Sequence, residues 1–355
     1  MPWLDPCLTR SRNTSGDLVV RLGVPQLDRY LEFLTVRSRP NTVLAVAYDL
    51  RVFFTVVSKP PHEVTSADVL GFVTAQHTGG RLGRLQPVRD GDGVSARTVR
   101  RRLSSVSGLF GFLLARGDVD ANPVPRGLPT RRERQRPRQG VPLVRTPRIL
   151  PRILEPAAVD ALLAALRTHR DRAMVEAMVL GGLRRCEVLG LRLGDLQVAN
   201  RRVFIGEGKG GHQRLIPVSG RFFTSVSSYL DSERPAEADT DRLFVVLKGR
   251  RRGRPLSAAG LDQILDSARL RAGLAQATCH QLRHTCLTRL REAGMALEAV
   301  QAQAGHASIE STRIYLHLAD DWLASQYRRA GEAIDAQMLP GRPIDLSESG
   351  VDGGR

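Results

Sequence analysis

The segment His280-Gln281-Leu282-Arg283-His284-Thr285 is the part of this sequence from which its fold can be assigned, and it predicts the start of a helix. Two histidines at positions i and i+4 resemble the helix of zinc proteases, but that motif has a glutamate in second place as general base. Gln281 stands there instead, and the positive charge of Arg283 would repel a metal ion, so zinc is disfavoured. The alternative is that His280 and Arg283, one helical turn apart, present a proton-transfer group and a phosphate clamp on one face.

Three further segments place polar side chains next to glycines. They are Gly182-Leu183-Arg184-Arg185-Cys186-Glu187, Gly208-Lys209-Gly210, and Ala304-Gly305-His306-Ala307-Ser308, the last followed by Tyr315. Each segment alone has a plain explanation: a surface Arg–Glu pair, a basic turn, and a tyrosine in a core or interface. The glycine-flanked lysine does not form a Walker phosphate loop, because that motif continues with Ser or Thr into a helix, whereas a strand is predicted here.

Taken together, the order and spacing of these residues resemble the tyrosine recombinase, or phage integrase, family. The order is Arg184, Lys209, His280-x-x-Arg283, His306, and then Tyr315 nine residues later. The phrases GLRRCE, GKG, HQLRHT, GHAS and YLH carry this resemblance over about residues 150–336. One departure is Ala304, where many members of the family have leucine. The N-terminal part also resembles the family's core-binding domain, down to its Asn122-Pro123 ending.

The resemblance implies an enzyme that cleaves and rejoins duplex DNA through a 3′-phosphotyrosine, with neither a metal nor a cofactor. The implied roles are a nucleophile, two phosphate-binding arginines, a general acid, two assisting histidines and a supporting carboxylate. By this resemblance Tyr315 is the nucleophile, Arg184 and Arg283 bind the phosphate, and Lys209 is the general acid. His280 would assist proton transfer, and His306 would donate a hydrogen bond to the scissile phosphate. Glu187 would hold Arg184.

Apolar periodicity predicts a mainly α-helical chain with a small β-hairpin, an α+β fold of two domains. The expected divisions are a flexible N-terminus (1–20), an all-helical core-binding domain of about four helices (21–125), and a basic linker (126–149). A mixed helical catalytic domain (150–336) and a flexible tail (337–355) follow. Strands are expected at 202–205 and 214–218, and the catalytic domain is expected to end in an amphipathic helix, 321–336, that docks onto a neighbouring subunit.

The charge balance favours nucleic acid as the partner. The formal net charge is +17 over 355 residues, and basic side chains that neutralise phosphates drive such binding. Aromatic residues make up only 5%, which favours duplex backbone binding over base stacking on single strands. The alternative is that the arginines are simply solvated and bind no nucleic acid.

The linker is the most basic stretch, with eight arginines between Arg126 and Arg148. We expect four of them to contact the DNA backbone: Arg131, Arg132, Arg134 and Arg136. A solvated spacer is the alternative.

Four cysteines without a CxxC pair argue against a disulfide scaffold and fit a reducing compartment. The N-terminus lacks the order of a signal peptide, and no uninterrupted apolar run reaches the length of a membrane span. We therefore expect a cytoplasmic, nucleoid-associated protein with no membrane partner. On double-stranded DNA it is expected to form a homotetrameric synapse.

The biological role stays open at this point. Integration of a phage, transposition of a mobile element and resolution of chromosome dimers all fit, as does a second recombinase or an accessory factor as partner. A type IB topoisomerase uses a similar set of residues, and a non-catalytic DNA-binding regulator is the third alternative. The helix predicted after Tyr315 argues against the topoisomerase, and the complete residue set argues against the regulator.

Overall fold

A computed structural model describes residues 5–77, 93–125, 143–144, 152–206 and 213–305. The chain divides into two compact units, Met1–Arg148 and Ile149–Arg355. Several predicted features lie outside the described residues. These are Lys209, His306, Tyr315, the four linker arginines (Arg131, Arg132, Arg134 and Arg136), the predicted helix 321–336 and the tail 337–355.

The described residues of the first unit form four α-helices: α1 (Pro25–Arg37), α2 (Pro40–Val57), α3 (Ser66–His77) and α4 (Ala96–Arg116). Proline at the first position starts α1 and α2, and the Ser95 side chain caps α4 by accepting from the Thr98 amide. The apolar faces of these helices meet in one core, in which Leu50, Phe53 and Phe110 are fully buried.

The prediction of a flexible segment over residues 1–20 is wrong for the part that the structure describes. Strands β1 (Thr9–Arg12) and β2 (Leu18–Arg21) pair antiparallel as a hairpin. The turn is fixed by Asn13, whose side-chain oxygen accepts from the Asp17 amide. Val20 and Leu22 are buried against the helices, so burial of apolar side chains holds a segment whose composition is mostly polar.

Helix α2 is apolar enough to cross a membrane by length and composition alone, with 18 residues and a mean hydropathy of 1.2. In the structure one face of this helix belongs to the core of the unit, and Leu50, Phe53 and Phe54 have no exposed surface. The core helix of a compact unit explains this composition.

The second unit contains seven helices and one small sheet among its described residues. The helices are α5 (Pro156–Ala164), α6 (His169–Val179), α7 (Arg185–Gly190), α8 (Gly220–Ser232), α9 (Ala258–Arg271), α10 (Cys279–Glu292) and α11 (Leu297–Ala304). The sheet has the order β3 (Leu196–Gln197), β4 (Arg202–Ile205), β5 (Arg214–Pro217), all antiparallel. The predicted fold class, mainly helical with small sheets, is confirmed, and β3 is an addition that the sequence did not indicate.

Helix α6 is the centre of this unit. It packs against both α8 and α10, and its residues from Ala173 to Val179 are buried without exception. Because α6 is enclosed, its C-terminal end fixes the position of the turn at Gly181 and Gly182, and of the helix α7 that begins after it.

Candidate active site

The first predicted arginine lies where two glycines turn the chain from α6 into α7. At Gly181 a Cβ atom would lie 2.8 Å from both the Ala177 carbonyl oxygen and the Leu183 Cδ1 atom, so only glycine fits. Gly182 has a φ of +69°, in the left-handed region that glycine adopts freely. This turn places Arg184 at the N-cap of α7.

The carboxylate of Glu187 is the centre of the site, and its side chain has no exposed surface. Arg184 donates to it twice, from its backbone amide at 2.9 Å and from Nη1 at 2.8 Å. Arg214 of β5 donates with both terminal nitrogens, Nη1 to Oε1 at 3.0 Å and Nη2 to Oε2 at 2.9 Å. The contact predicted between Glu187 and Arg184 is present, and a second arginine completes it.

Glu187 is held in its ionised form. Burial raises the pKa of this carboxyl, but the hydrogen bonds from Arg214 and from the Arg184 amide, together with the charge of Arg214, outweigh burial and leave the pKa below its usual value. A buried charge of this kind is tolerated because its oxygens are fully hydrogen-bonded.

The second predicted arginine, Arg283, is buried in α10 with 2% of its surface exposed. Its guanidinium donates from Nη1 to the Gly182 carbonyl and from Nη2 to the Ala304 carbonyl. Nη1 also lies 3.9 Å from Glu187 Oε2. The two arginines therefore flank the same carboxylate and the same glycine turn.

The end of α11 meets both arginines. Arg184 Nη2 donates to the Gly305 carbonyl at 3.1 Å, next to the Ala304 carbonyl that Arg283 contacts. The Gln303 amide donates to the carbonyls of Gly181 and Pro217, which ties α11 to the glycine turn and to β5. His306 follows Gly305 directly in the sequence but lies outside the described residues.

His280 and His284 lie on the first turns of α10, which Thr278 caps by accepting from the Gln281 amide. Their Nε2 atoms are 2.7 Å apart, so one ring donates and the other accepts. Burial, then the charges of His280 and Arg283, lowers the pKa of His284 to about 4. His284 is therefore neutral near pH 7, and its hydrogen bond orients the ring of His280.

Arg184, His280 and Arg283 line one open cleft of about 740 Å³, together with Arg185, Asp262 and Cys279. Arg185 and Asp262 form an ion pair across it. The cleft thus brings together four of the predicted groups, counting Glu187 beneath the arginines. It offers guanidinium donors for an anion beside an imidazole that can move a proton.

Lys209, His306 and Tyr315 cannot be placed, because they lie outside the described residues. Lys209 falls in the chain between β4 and β5, whose ends pair at Ile205 and Arg214. Sequence reasoning missed Arg214. Its spacing does not separate it from the other arginines of the chain, and only the fold brings it to Glu187.

Comparison with known proteins places the chain in a family. The sequence pattern of the phage integrase family matches residues 152–321, and that of the phage integrase N-terminal SAM-like domain matches residues 27–117. The tyrosine recombinase XerC of Roseiflexus castenholzii is 32% identical over 293 residues, which is 78% of this chain and 83% of the relative. The tyrosine recombinase XerD of Listeria monocytogenes is 29% identical over 319 residues, or 85% and 97% of the two chains.

Two solved structures have a similar fold. The Tn1549 transposon integrase in complex with a circular intermediate DNA has a TM-score of 0.64 at 19% identity, covering 86% of this chain and 99% of that one. The XerH site-specific recombinase bound to its palindromic difH substrate has a TM-score of 0.61 at 21% identity, covering 88% and 84%.

The chain belongs to the phage integrase family of tyrosine recombinases. The fold and the arginine pair around Glu187 agree with this class. Within that class it is an enzyme, a tyrosine-type site-specific recombinase.

Proposed function

We propose that this recombinase cleaves and rejoins duplex DNA at a specific site through a 3′-phosphotyrosine intermediate, with Tyr315 as the nucleophile. The observation that carries the proposal is the cleft in which Arg184, Arg283 and His280 converge. Two guanidinium groups of different helices and one imidazole form an anion site with a proton-transfer group beside it.

The two arginines bind the non-bridging oxygens of the scissile phosphate. Arg184 has five N–H donors, and among the described residues its side chain donates to Glu187 and Gly305. The side chain of Arg184 lines the open cleft and has 19% of its surface exposed, so an anion in the cleft can reach it. As charge develops in the transition state, these fixed donors stabilise it without rearrangement.

The local charge also favours a phosphate. Arg184, Arg214 and Arg283 surround a single carboxylate, that of Glu187, so three positive charges face one negative charge. Net positive charge in a partly enclosed cleft attracts a phosphodiester and raises the rate of encounter.

Two residues take part in proton transfer, and a third binds the phosphate. Lys209 protonates the leaving 5′-oxygen, His280 assists at the tyrosine hydroxyl, and His306 donates a hydrogen bond to the scissile phosphate. The pairing of His280 with His284 at 2.7 Å supports this role, because a neutral partner fixes the orientation of the ring.

The N-terminal unit offers a second surface for the DNA backbone. A cleft of about 350 Å³ between α2 and α4 is lined by Tyr48, Arg51 and Arg101. Buried Asp49 holds Arg101 in place by an ion pair of 2.6 Å. The linker arginines Arg131, Arg132, Arg134 and Arg136 extend this contact along the duplex, whose phosphates attract basic side chains.

The assembly and the biological context are parts of the same proposal. The enzyme works as a homotetrameric synapse on DNA, in which the segment 321–336 of one subunit docks onto the next, and a second recombinase or accessory factor is an additional partner. Integration, excision or transposition of a mobile element is the proposed role, on nucleoid DNA in the cytoplasm.

A nicked duplex that traps the covalent intermediate tests the proposal. The wild-type protein selects its site from a randomised duplex library, and adducts are separated on denaturing gels. The proposal predicts an adduct at one sequence and strand exchange between two duplexes. Relaxation of supercoiled plasmid with little site preference would indicate a type IB topoisomerase, and binding without an adduct would indicate a regulator.

A further inference from the structure

Arg214 is a partly buried arginine to which the recombination mechanism above gives no part in the reaction, although both of its terminal nitrogens donate to Glu187. We propose that Arg214 is a positioning residue, which fixes Glu187 and through it orients Arg184 and the end of α11 for the scissile phosphate. This inference rests on the proposed function and deepens it.

The contact between Arg214 and Glu187 is bidentate. Both terminal nitrogens of the guanidinium meet both oxygens of the carboxylate, at 3.0 and 2.9 Å, and the two side chains expose 13% and 0% of their surfaces. A planar fork of this kind fixes the orientation of the carboxylate plane as well as its position. Because the same two oxygens accept from the Arg184 amide and Nη1, the carboxylate plane sets the direction of Arg184.

Arg214 also fixes the end of α11 by direct packing. A Cβ atom added to Gly305 would lie 2.7–2.9 Å from the Nη1, Cζ and Nε atoms of Arg214, so the backbone of Gly305 lies flat against the guanidinium. The Gly305 carbonyl accepts from Arg184 Nη2 at 3.1 Å. One side chain of β5 thus links the first arginine to the residue that precedes His306.

The contact between Arg214 and Glu187 affects the reaction as well as folding, because it helps to set the ionisation state of Glu187. Among the described residues the charged groups that face Glu187 are Arg184 from the start of α7, Arg214 from β5 and Arg283 from α10. Without Arg214, the carboxylate keeps its burial and loses two of its hydrogen bonds, so the pKa of Glu187 rises. Once Glu187 is protonated it no longer holds Arg184 by a charged hydrogen bond.

The test compares Arg214→Met and Arg214→Lys with Arg202→Met, a control that removes an exposed arginine of the adjacent strand β4. The readouts are adduct formation on the selected nicked duplex between pH 5 and 9, DNA affinity, and a carbon-13 titration of the Glu187 carboxyl. The Glu187 resonance is assigned by its loss in Glu187→Gln.

We expect Arg214→Met to slow cleavage about 100-fold, the scale of loss for a misplaced reacting group, with DNA affinity within about threefold of wild type. The acid limb of its pH profile moves to higher pH, and the Glu187 carboxyl titrates at higher pH. Arg214→Lys keeps the positive charge but cannot form the bidentate contact, so its cleavage rate should lie between those of wild type and Arg214→Met. Arg202→Met matches wild type.

Adding Glu187→Gln to Arg214→Met removes the carboxyl group that titrates, so the double variant loses the pH shift. An unmoved Glu187 titration in Arg214→Met would overturn the inference, as would a slow variant whose pH profile keeps the wild-type shape. If the wild-type protein forms no adduct, the proposed function fails, and the Glu187 titration still decides the role of Arg214.

Discussion

Gly305→Ala is a small change at the point where the backbone of the site packs most closely, against the guanidinium of Arg214. The φ of Gly305 is +58°, which costs a residue with a Cβ atom about 1–2 kcal/mol. In addition, the new Cβ atom would lie 2.7 Å from Arg214 Nη1, closer than any relaxed contact. Arg214 cannot swing away freely, because both of its terminal nitrogens are bonded to buried Glu187.

The chain contains a matched control for this change. Gly273 has a φ of +67°, and its Cβ atom would meet nothing within 4 Å. Gly273→Ala therefore carries the backbone strain alone, about 1–2 kcal/mol. Breaking a buried ion pair costs about 3–5 kcal/mol, so we expect Gly305→Ala to lose up to about 4–7 kcal/mol if the Arg214–Glu187 pair gives way.

Equilibrium urea unfolding, followed by circular dichroism, measures both variants against wild type. The cleavage rate on the nicked duplex is measured in parallel, at urea concentrations where each protein is folded. We expect Gly305→Ala to be the less stable variant by about 3 kcal/mol or more, with slowed cleavage, whereas Gly273→Ala cleaves normally. Equal losses of stability and normal cleavage in both variants would refute the packing of Gly305 on Arg214.

Three other predictions follow from the site and the charge distribution. Lys209→Ala should slow cleavage by about 10²–10⁴-fold, and a bridging 5′-sulfur at the scissile position should restore most of the rate, since a thiolate leaves without a proton. Arg184→Ala should not be rescued by sulfur, and rescue of His280→Ala instead would move the general acid to His280. Neutralising Arg131, Arg132, Arg134 and Arg136 should weaken specific and random DNA binding alike and reduce the salt slope by roughly one unit per lost phosphate contact; an unchanged slope would make the linker a spacer. His284, with its pKa lowered from 6.5 to about 4, favours the folded state in its neutral form. Its contribution to the free energy of unfolding is therefore complete above pH 6.5 and falls as the pH approaches 4. The urea midpoint of the wild-type protein should be lower at pH 5 than at pH 7, and the difference should be smaller in His284→Gln. Equal differences in the two proteins would contradict this.

Local sequence patterns predicted much of the fold. Helices such as α4 and α10 have apolar residues at helical spacing, with a Ser or Thr cap and a glycine near the end, and these signals act within a few residues. The hairpin at Thr9–Arg12 and Leu18–Arg21 escaped this reasoning, because its stability comes from Val20 and Leu22 packing on helices that follow later in the chain.

Contacts of the site between residues close in sequence could be predicted from their spacing. Contacts between residues far apart in sequence could not. Arg184 and Glu187 lie one helical turn apart, so their hydrogen bond follows from sequence. The bond between Glu187 and Arg214 joins residues 27 positions apart and depends on how β5 lies beside α7. The burial of Arg283, against the carbonyls of Gly182 and Ala304, likewise required the packed fold.

The central claim is that Tyr315 forms a covalent bond to DNA, and replacing its hydroxyl tests it most directly. Of the five tyrosines, only Tyr315 and Tyr327 follow Arg283 in the sequence, so Tyr327→Phe is the matched control for Tyr315→Phe. Both variants are incubated with the selected nicked duplex, and adducts are counted on denaturing gels. We predict normal DNA binding by both, normal adduct from Tyr327→Phe and none from Tyr315→Phe. An adduct that persists in Tyr315→Phe, or disappears in Tyr327→Phe, would contradict the assignment.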